Sequence, residues 1–248
     1  MLKPDWPVDA RVGALMTTRA GGVSAPPFDS LNLGRSAGDN VHAVAENRRR
    51  FEAMMGVPTH YLSQVHGARV VRLRHAEAGP YEADGAITTE PGLACTVLVA
   101  DCLPVLFAAP QARGVAAAHA GWRGLAGGVL EATVAALCDA AACAPRELVG
   151  WLGPCIGPRR FEVGADVMDN FGAAAAAHFV FRPRPDGAAR WLADLPGLAR
   201  QRLAAVGVTQ VHGGVWCTVE DASAFFSFRR DGVTGRMAAA VWIDSRRG

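Results

Sequence analysis

The chain has 248 residues, half of them apolar, and a formal charge of +2. That is enough for one large domain with a sizeable core. Without a long basic or acidic block, nucleic acid is not an expected partner.

The N-terminal MLKPDWPVDARVG has no charged start followed by an apolar core, so no secretory signal is expected. The most apolar window, 92–110, contains Asp101 and Pro104 and reads as buried sheet, not as a membrane span. The cytoplasm is the expected compartment. A short apolar strand ends at Thr17-Thr18-Arg19, and a Gly/Pro/Ser loop runs on to Gly34. Asp39-Asn40 opens a helix over about 41–55, with Val41, Val44, Phe51 and Met54-Met55 on its apolar side. Its polar side carries Glu46, Asn47, Arg48, Arg49 and Arg50 and reads as a solvated face. Residues 60–74 predict a strand interrupted at Gly67, with Gln64 and His66 at the interruption. Asp84-Gly85 is a turn before a strand at 86–89.

The central stretch runs from Cys95 to Gly128. Short apolar runs bounded by Pro and Gly predict strands at Cys95–Ala100, Leu103–Ala109 and Gly114–Ala118. The first two are separated by a break at Asp101-Cys102. A hairpin about the Pro110–Arg113 turn sets Ala109 opposite Gly114 and His119 opposite Pro104. Cys102 then lies two residues further along the same edge, roughly 7 Å from His119 at the backbone. Gly121, Gly124, Gly127 and Gly128 follow at a strand-to-helix bend. There, backbone N–H groups could approach a phosphate or carboxylate, although the spacing matches no established phosphate loop.

A helix is predicted over Leu125–Ala142 and a strand over Leu148–Leu152. A Gly-Pro loop holding Cys155 comes next, then a helix over Phe161–Phe171. Ala173–Ala177 favours helix by propensity, and Phe181–Ala189 reads as an exposed loop. Asp194 caps a helix over Leu195–Ala205, with Pro196 allowed in its first turn. Strands are expected at Val208–Val211, Val215–Thr218 and Met237–Ile243. No repeat or composition shift marks a boundary, so residues 1–248 read as one domain. Strands and helices mix without strict βαβ alternation, which favours the α+β class.

Six cysteines are spread through the chain without a CxxC, so free thiols are expected unless one is metal-bound or reactive. His66, Cys102 and His119 can converge. One thiolate and two imidazoles suit a zinc-like metal and leave a fourth position open, where bound water ionises near pH 7. Copper suits the same set and usually binds tighter. A core cysteine with two structural histidines is the competing reading of these three residues. Zinc nucleobase deaminases of the usual kind carry H-x-E and P-C-x-x-C; here Ala120-Gly121 follows His119, and Ile156-Gly157-Pro158 follows Cys155. Multicopper oxidases need histidine pairs separated by one residue, and none of the seven histidines is so spaced.

Several motifs resemble one family. They are Gln64-Val65-His66-Gly67, Ala83-Asp84-Gly85, Ala100-Asp101-Cys102-Leu103-Pro104 and His119-Ala120-Gly121-Trp122-Arg123-Gly124. Flanking them are Thr17 to Ser24, Ser30 to Gly34, Asn47-Arg48, Gly153-Pro154, Cys217-Thr218 and Phe226 to Gly232. Together they are similar to the YfiH laccase-domain family. Its members have been labelled laccase domain, polyphenol oxidase, purine nucleoside phosphorylase and peptidoglycan editing factor. The resemblance implies a single α+β domain of packed mixed β-sheets flanked by helices, with a metal pocket at His66, Cys102 and His119.

It also implies zinc-dependent phosphorolysis of adenosine, inosine and methylthioadenosine to free base and ribose 1-phosphate, plus adenosine deamination. A small nucleoside and inorganic phosphate are then the partners, and a monomer is the expected state. Phosphorolysis needs a cation for phosphate: Arg48 is the first choice, Arg123 the reserve. Asp101 and Asp84 are candidate proton-shuttling carboxylates, and Gln64 a candidate substrate-orienting amide. The fold also resembles cysteine-hydrolase-like toxins. Cys102 could therefore be a thiolate nucleophile acting on an amide in peptidoglycan-precursor editing. Two further readings are a structural metal beside a partner-binding pocket and, disfavoured by the histidine pattern, a copper polyphenol oxidase.

Overall fold

The computed structural model describes residues 1–75, 77, 79 and 81–246. Its centre is the predicted hairpin. Strand β7 (Leu103–Ala108) pairs antiparallel with β8 (Val115–Ala120), with Pro104 opposite His119 as the turn geometry requires. Ala109 donates its N–H to Gly114 O at 2.9 Å to close the hairpin. All twelve strand residues are buried. Both strands are therefore apolar on both faces, as a strand between two packed layers must be.

Three further segments flank the hairpin on each side in sequence. Before it come β3 (Val70–Arg72), β5 (Gly85–Thr88) and β6 (Ala94–Val99). After it come β9 (Val149–Leu152), β13 (Gln210–Gly213) and β14 (Met237–Ile243). With β1 (Val12–Met16), β2 (Thr59–Ser63) and β4 (Tyr81–Glu82), they form two mixed sheets. The six-stranded sheet has order β13-β9-β7-β8-β5-β3, the five-stranded sheet β1-β14-β6-β2-β4. A small antiparallel sheet, β10 (Glu162–Val163), β12 (Trp191–Ala193) and β11 (Phe179–Phe181), lies apart from both.

Alternation of side chains makes the layers. Cys95, Val97 and Val99 of β6 and Met237, Ala239, Val241 and Ile243 of β14 meet Leu106, Ala117 and Trp151 of the other sheet in one buried cluster. The opposite face of β14, with Ala238, Ala240 and Trp242, packs under Phe51 and Met55 of α1 (Val41–Met55). The opposite face of the hairpin, with Val105, Phe107, Ala116 and Ala118, packs under α3 (Val129–Ala141) and α5 (Leu195–Ala205). The order is helix, sheet, sheet, helices. Runs of alanine in β8 and β14 keep the adjoining layers close. This is the expected single α+β domain of packed sheets flanked by helices.

Helices α1 and α5 and strand β14 occupy the predicted ranges. Asn40 caps α1 by accepting the N–H groups of His42 and Ala43, and Asp194 caps α5 by accepting that of Gly197. Elsewhere the boundaries shift. The single helix expected over Leu125–Ala142 is two: α2 (Trp122–Ala126) and α3, parted at Gly127-Gly128, where Gly128 has φ 92°. Glycine there takes a left-handed conformation without a Cβ penalty. The expected Phe161–Phe171 helix begins only at Ala165, as α4 (Ala165–Phe171), because Glu162-Val163 pairs with β12. Val215–Thr218 is not a strand; only Cys217 makes an isolated bridge, to Cys155. Cys155, in the predicted Gly-Pro loop, is fully buried there. A four-residue helix, α6 (Phe228–Asp231), follows. Among the described residues, no helix is long and apolar enough to cross a membrane.

Candidate metal centre and adjoining cavity

The chain crosses from the five-stranded to the six-stranded sheet three times at the same end of the molecule. The crossing from β2 to β3 carries His66, that from β4 to β5 carries Asp84, and that from β6 to β7 carries Cys102. His119 stands at the end of β8, between them. The ligand atoms of His66, Cys102 and His119 lie within 4.8 Å of one another, with His66 exposed, Cys102 half-buried and His119 buried. The Cys102 sulfur is 3.9 Å from His66 Nε2, and the two imidazoles meet edge to face at 4.8 Å between centroids.

Asp84 organises this end. It is fully buried, and its carboxylate accepts the N–H groups of Val65 at 3.1 Å, His66 at 2.9 Å and Gly67 at 2.7 Å. His119 Nδ1 donates to the same carboxylate at 2.8 Å, which leaves Nε2 as the free ring nitrogen. One carboxylate thus fixes the turn that carries the first imidazole and the tautomer of the second. The turn needs that support, because His66 has φ 61°, a left-handed value that costs a non-glycine residue energy.

Burial would raise Asp84, but the His119 ring and the N–H groups of Gly67 and Val65 outweigh it and hold the carboxyl below its ordinary range. Burial also pushes the Cys102 thiol up, yet His119 and His66 bring it down to about 6. For His119 burial acts downward; the sulfur of Cys102 and the Asp84 carboxylate raise it to about 9. Without metal the pair is a thiolate facing an imidazolium. The donor set fits a zinc-like ion: one sulfur, two ring nitrogens, and a carboxylate behind one histidine to orient it.

The glycines after His119 serve this packing. A Cβ on Gly121 would stand 2.9 Å from Cys102 Sγ and 3.0 Å from His66 Cδ2, and one on Gly124 would stand 2.8 Å from Gly67 O. They let the cluster close up, and α2, five residues long, offers no developed helix terminus to an anion.

A cavity of ≈ 1140 Å³ opens on the cluster, between α1 and β2. Cys102, His66 and His119 line it, with Arg35, Arg48, Arg236, Tyr61, Glu52 and Phe228. Arg48 turns away from its solvated neighbours. Its guanidinium lies 3.6 Å over the Tyr61 ring, and its Nε donates to Leu33 O at 2.9 Å. Arg49, which also lines the cavity, and Arg50 instead pair with Glu46. Gln64 lines the cavity as well, but its Nε2 donates to Leu98 O and its Oε1 accepts the Leu98 N–H, so the amide extends the pairing of β2 with β6.

Asp101 is buried beside Cys102. It accepts the Thr218 hydroxyl at 2.5 Å and the Arg229 N–H at 2.6 Å, which occupies both oxygens. Arg123 is not among the cavity's lining residues; it is exposed on α2, 4.4 Å over the ring of its neighbour Trp122. Arg236, Arg35 and Phe228 come to the cavity from segments to which sequence reading gave no role there. The Phe226–Gly232 motif was the only pointer, and it carries no spacing that aims a side chain.

Residues 13–244 match a family described as multi-copper polyphenol oxidoreductase laccase. The chain belongs to this family. Within the laccase-domain family it is 52% identical to a purine nucleoside phosphorylase of Pseudomonas aeruginosa over 246 residues, 98% of each chain. It is 48% identical to the purine nucleoside phosphorylase YfiH of Escherichia coli, again over 98% of each. A crystallised Neisseria meningitidis protein superposes with a TM-score of 0.92 at 47% identity, covering 98% of this chain and 99% of that one. YlmD of Geobacillus stearothermophilus does so at 0.86 and 33%, covering 95% and 93%.

Proposed function

We propose that this laccase-domain protein is a zinc-dependent purine nucleoside phosphorylase. It cleaves adenosine, inosine and methylthioadenosine with inorganic phosphate to the free base and ribose 1-phosphate. The observation that carries the reading is the cavity itself, which places guanidinium groups without carboxylate partners beside a Cys-His-His cluster. The names borne by relatives of 52% and 48% identity support it.

His66, Cys102 and His119 would hold the metal, with Asp84 positioning two of them. A zinc-like ion bound there would supply Lewis acidity at one wall of the cavity. Arg48 and the other unpaired arginines of the cavity bind the anionic reactant, and the Phe228 ring supplies an apolar wall for a flat base. Asp101 and Gln64, whose polar atoms are engaged by the chain, act by holding the cavity's shape. Adenosine deamination in the same cavity is the second activity of this reading. The protein works as a monomer in the cytoplasm.

The test is product analysis. Protein of measured metal content is given adenosine with and without phosphate, and products are identified by mass spectrometry. Adenine with ribose 1-phosphate, formed only with phosphate, supports phosphorolysis; inosine supports deamination. Neither product from protein carrying one zinc per chain sinks the reading.

One observation favours a second reading. Asp84, His119 and Cys102 stand in the order of a carboxylate–imidazole–thiolate triad, so the metal-free protein could act as a cysteine amide hydrolase. Amide cleavage by fully metal-free protein, abolished by iodoacetamide, would support it. For a copper oxidase, a Cu–thiolate absorption band accompanied by phenol oxidation is required; the histidine spacing argues against a multicopper oxidase.

A further inference from the structure

The cavity holds an imbalance of charge that its own residues do not resolve. Four arginines line it: Arg49 pairs with Glu46, while exposed Arg35 and half-buried Arg48 and Arg236 have no carboxylate within 4 Å among the described residues. Glu52, the one carboxylate on the lining, is half-buried, and burial raises its pKa even with Arg48 nearby. Unpaired guanidinium groups held partly out of water are costly unless an anion joins them.

Arg236 differs from the other two. It immediately precedes β14 and reaches the cavity from outside α1. Its stem passes over Gly34, where an added Cβ would stand 2.6 Å from Arg236 Cγ. Its backbone N–H is held by Asn32 Oδ1 at 2.8 Å, and Nη1 donates to Thr234 O at 2.8 Å and Gly235 O at 3.1 Å. These are carbonyl acceptors only, so the charge is positioned but not neutralised. The anionic groups in its electrostatic reach are Cys102 and Asp101. The Asp101 carboxylate is already engaged by Thr218 and Arg229. Arg48 stands instead against Tyr61, with Glu52 and Arg35 as its charged neighbours. Arg236 is therefore the cation at the cluster end of the cavity, and Arg48 the cation at the α1 wall.

We propose that Arg236 is the primary oxyanion-binding residue of this cavity, taking inorganic phosphate at the cluster end, with Arg48 as the second contact. The assignment rests on the phosphorolysis reading and adds to it where the nucleophile sits. A guanidinium offers two parallel N–H groups to a tetrahedral oxyanion. In the step this serves, an oxygen of hydrogen phosphate forms a bond to the ribose C1′ as the bond from C1′ to the purine nitrogen breaks. The electron pair of the broken bond leaves on the base, and the proton of hydrogen phosphate ends on that base. The products are ribose 1-phosphate and the neutral purine.

The experiment measures initial rates of inosine phosphorolysis while phosphate and inosine are varied in turn, for the zinc-loaded wild type, Arg236→Gln, Arg236→Lys and Gly34→Ala. Binding of inorganic phosphate alone is followed by calorimetry on the same proteins. Arg236→Gln is expected to raise KM for phosphate at least tenfold while KM for inosine stays within twofold, and Arg236→Lys to recover part of the loss. Gly34→Ala keeps the charge but displaces the stem; its φ of −88° suits alanine, so it folds even where Arg236→Gln does not. It is expected to raise the phosphate KM several-fold. Unchanged phosphate KM and unchanged calorimetric binding in folded Arg236→Gln or Gly34→Ala overturn the assignment. Should the wild type release no ribose 1-phosphate, the phosphorolysis reading fails, and calorimetry still decides the subsite: phosphate binding lost in Arg236→Gln retains it, and binding unaffected rejects it.

Discussion

Asp84 concentrates the most consequence in one side chain. Three backbone N–H groups and one imidazole converge on a carboxylate with no exposure to solvent. Asp84→Asn keeps the size but removes the charge and turns one acceptor into a donor facing N–H groups. Loss of such a partner behind a metal-bound histidine weakens metal affinity by about 10- to 100-fold. Zinc competition against a chromophoric chelator should show that loss, with the His66 turn loosened in hydrogen exchange. The pH dependence of metal binding follows from the same residues. In the metal-free protein Cys102 loses its proton above about 6 and His119 above about 9. Between these values metal binding must displace one proton, from His119; below about 6 it must also displace the thiol proton. Zinc affinity should therefore fall roughly tenfold per pH unit from 9 to 6, and more steeply below. Affinity independent of pH over this range would contradict the thiolate–imidazolium pair.

At the scale of elements, the site is made by how β8 passes into α2. Gly121 caps that helix and lies against both Cys102 and His66. Gly121→Ala has an acceptable backbone angle, φ −63°, so its cost falls on the cluster and not on the helix. The expected result is folded protein with a nearly unchanged melting temperature, in metal-free form, and at least tenfold weaker zinc binding. Gly128, at φ 92°, shows the opposite pattern. Alanine there should destabilise by about 1–2 kcal/mol, read from the urea midpoint, without touching metal affinity. The glycine run looked like one feature in the sequence. In the fold it divides into residues that admit the cluster and a residue that breaks the helix.

Across the whole molecule, two sheets share a core and α-helices cover their outer faces. Trp151 is almost wholly buried in the shared core and packs against Trp216, 5.7 Å between ring centroids. Trp151→Ala should cost about 3–5 kcal/mol through the void it leaves, measured by denaturant unfolding of the metal-free protein, while the folded fraction still takes up one metal per chain. The layering also sets the position of the site. His66 and Cys102 both lie where the chain leaves one sheet for the other, at sheet ends where strand pairing has stopped and side chains are free to converge. A cavity at that seam borrows walls from α1, from β2 and from the residue that leads into β14, so its lining includes Gly34 and Arg236, 202 positions apart.

The sequence by itself determined the local and the adjacent. The hairpin register follows from the turn at Pro110–Arg113 and brings Cys102 near His119, and the caps at Asn40 and Asp194 set where α1 and α5 begin; His66, 36 residues from Cys102, was joined to them only by the family resemblance. The register and the caps depend on short-range geometry, which residue type and spacing control. Only the tertiary structure decided that Arg48 leaves its arginine run for the cavity, that Arg123 stays outside it, that Asp84 faces inward onto three N–H groups, and that Arg236 arrives over Gly34. Each of these depends on which strand lies beside which across two packed sheets. Pairings between segments tens to hundreds of residues apart leave no period or spacing in the chain, because the contact is fixed by the packing of whole layers and not by neighbours along the backbone.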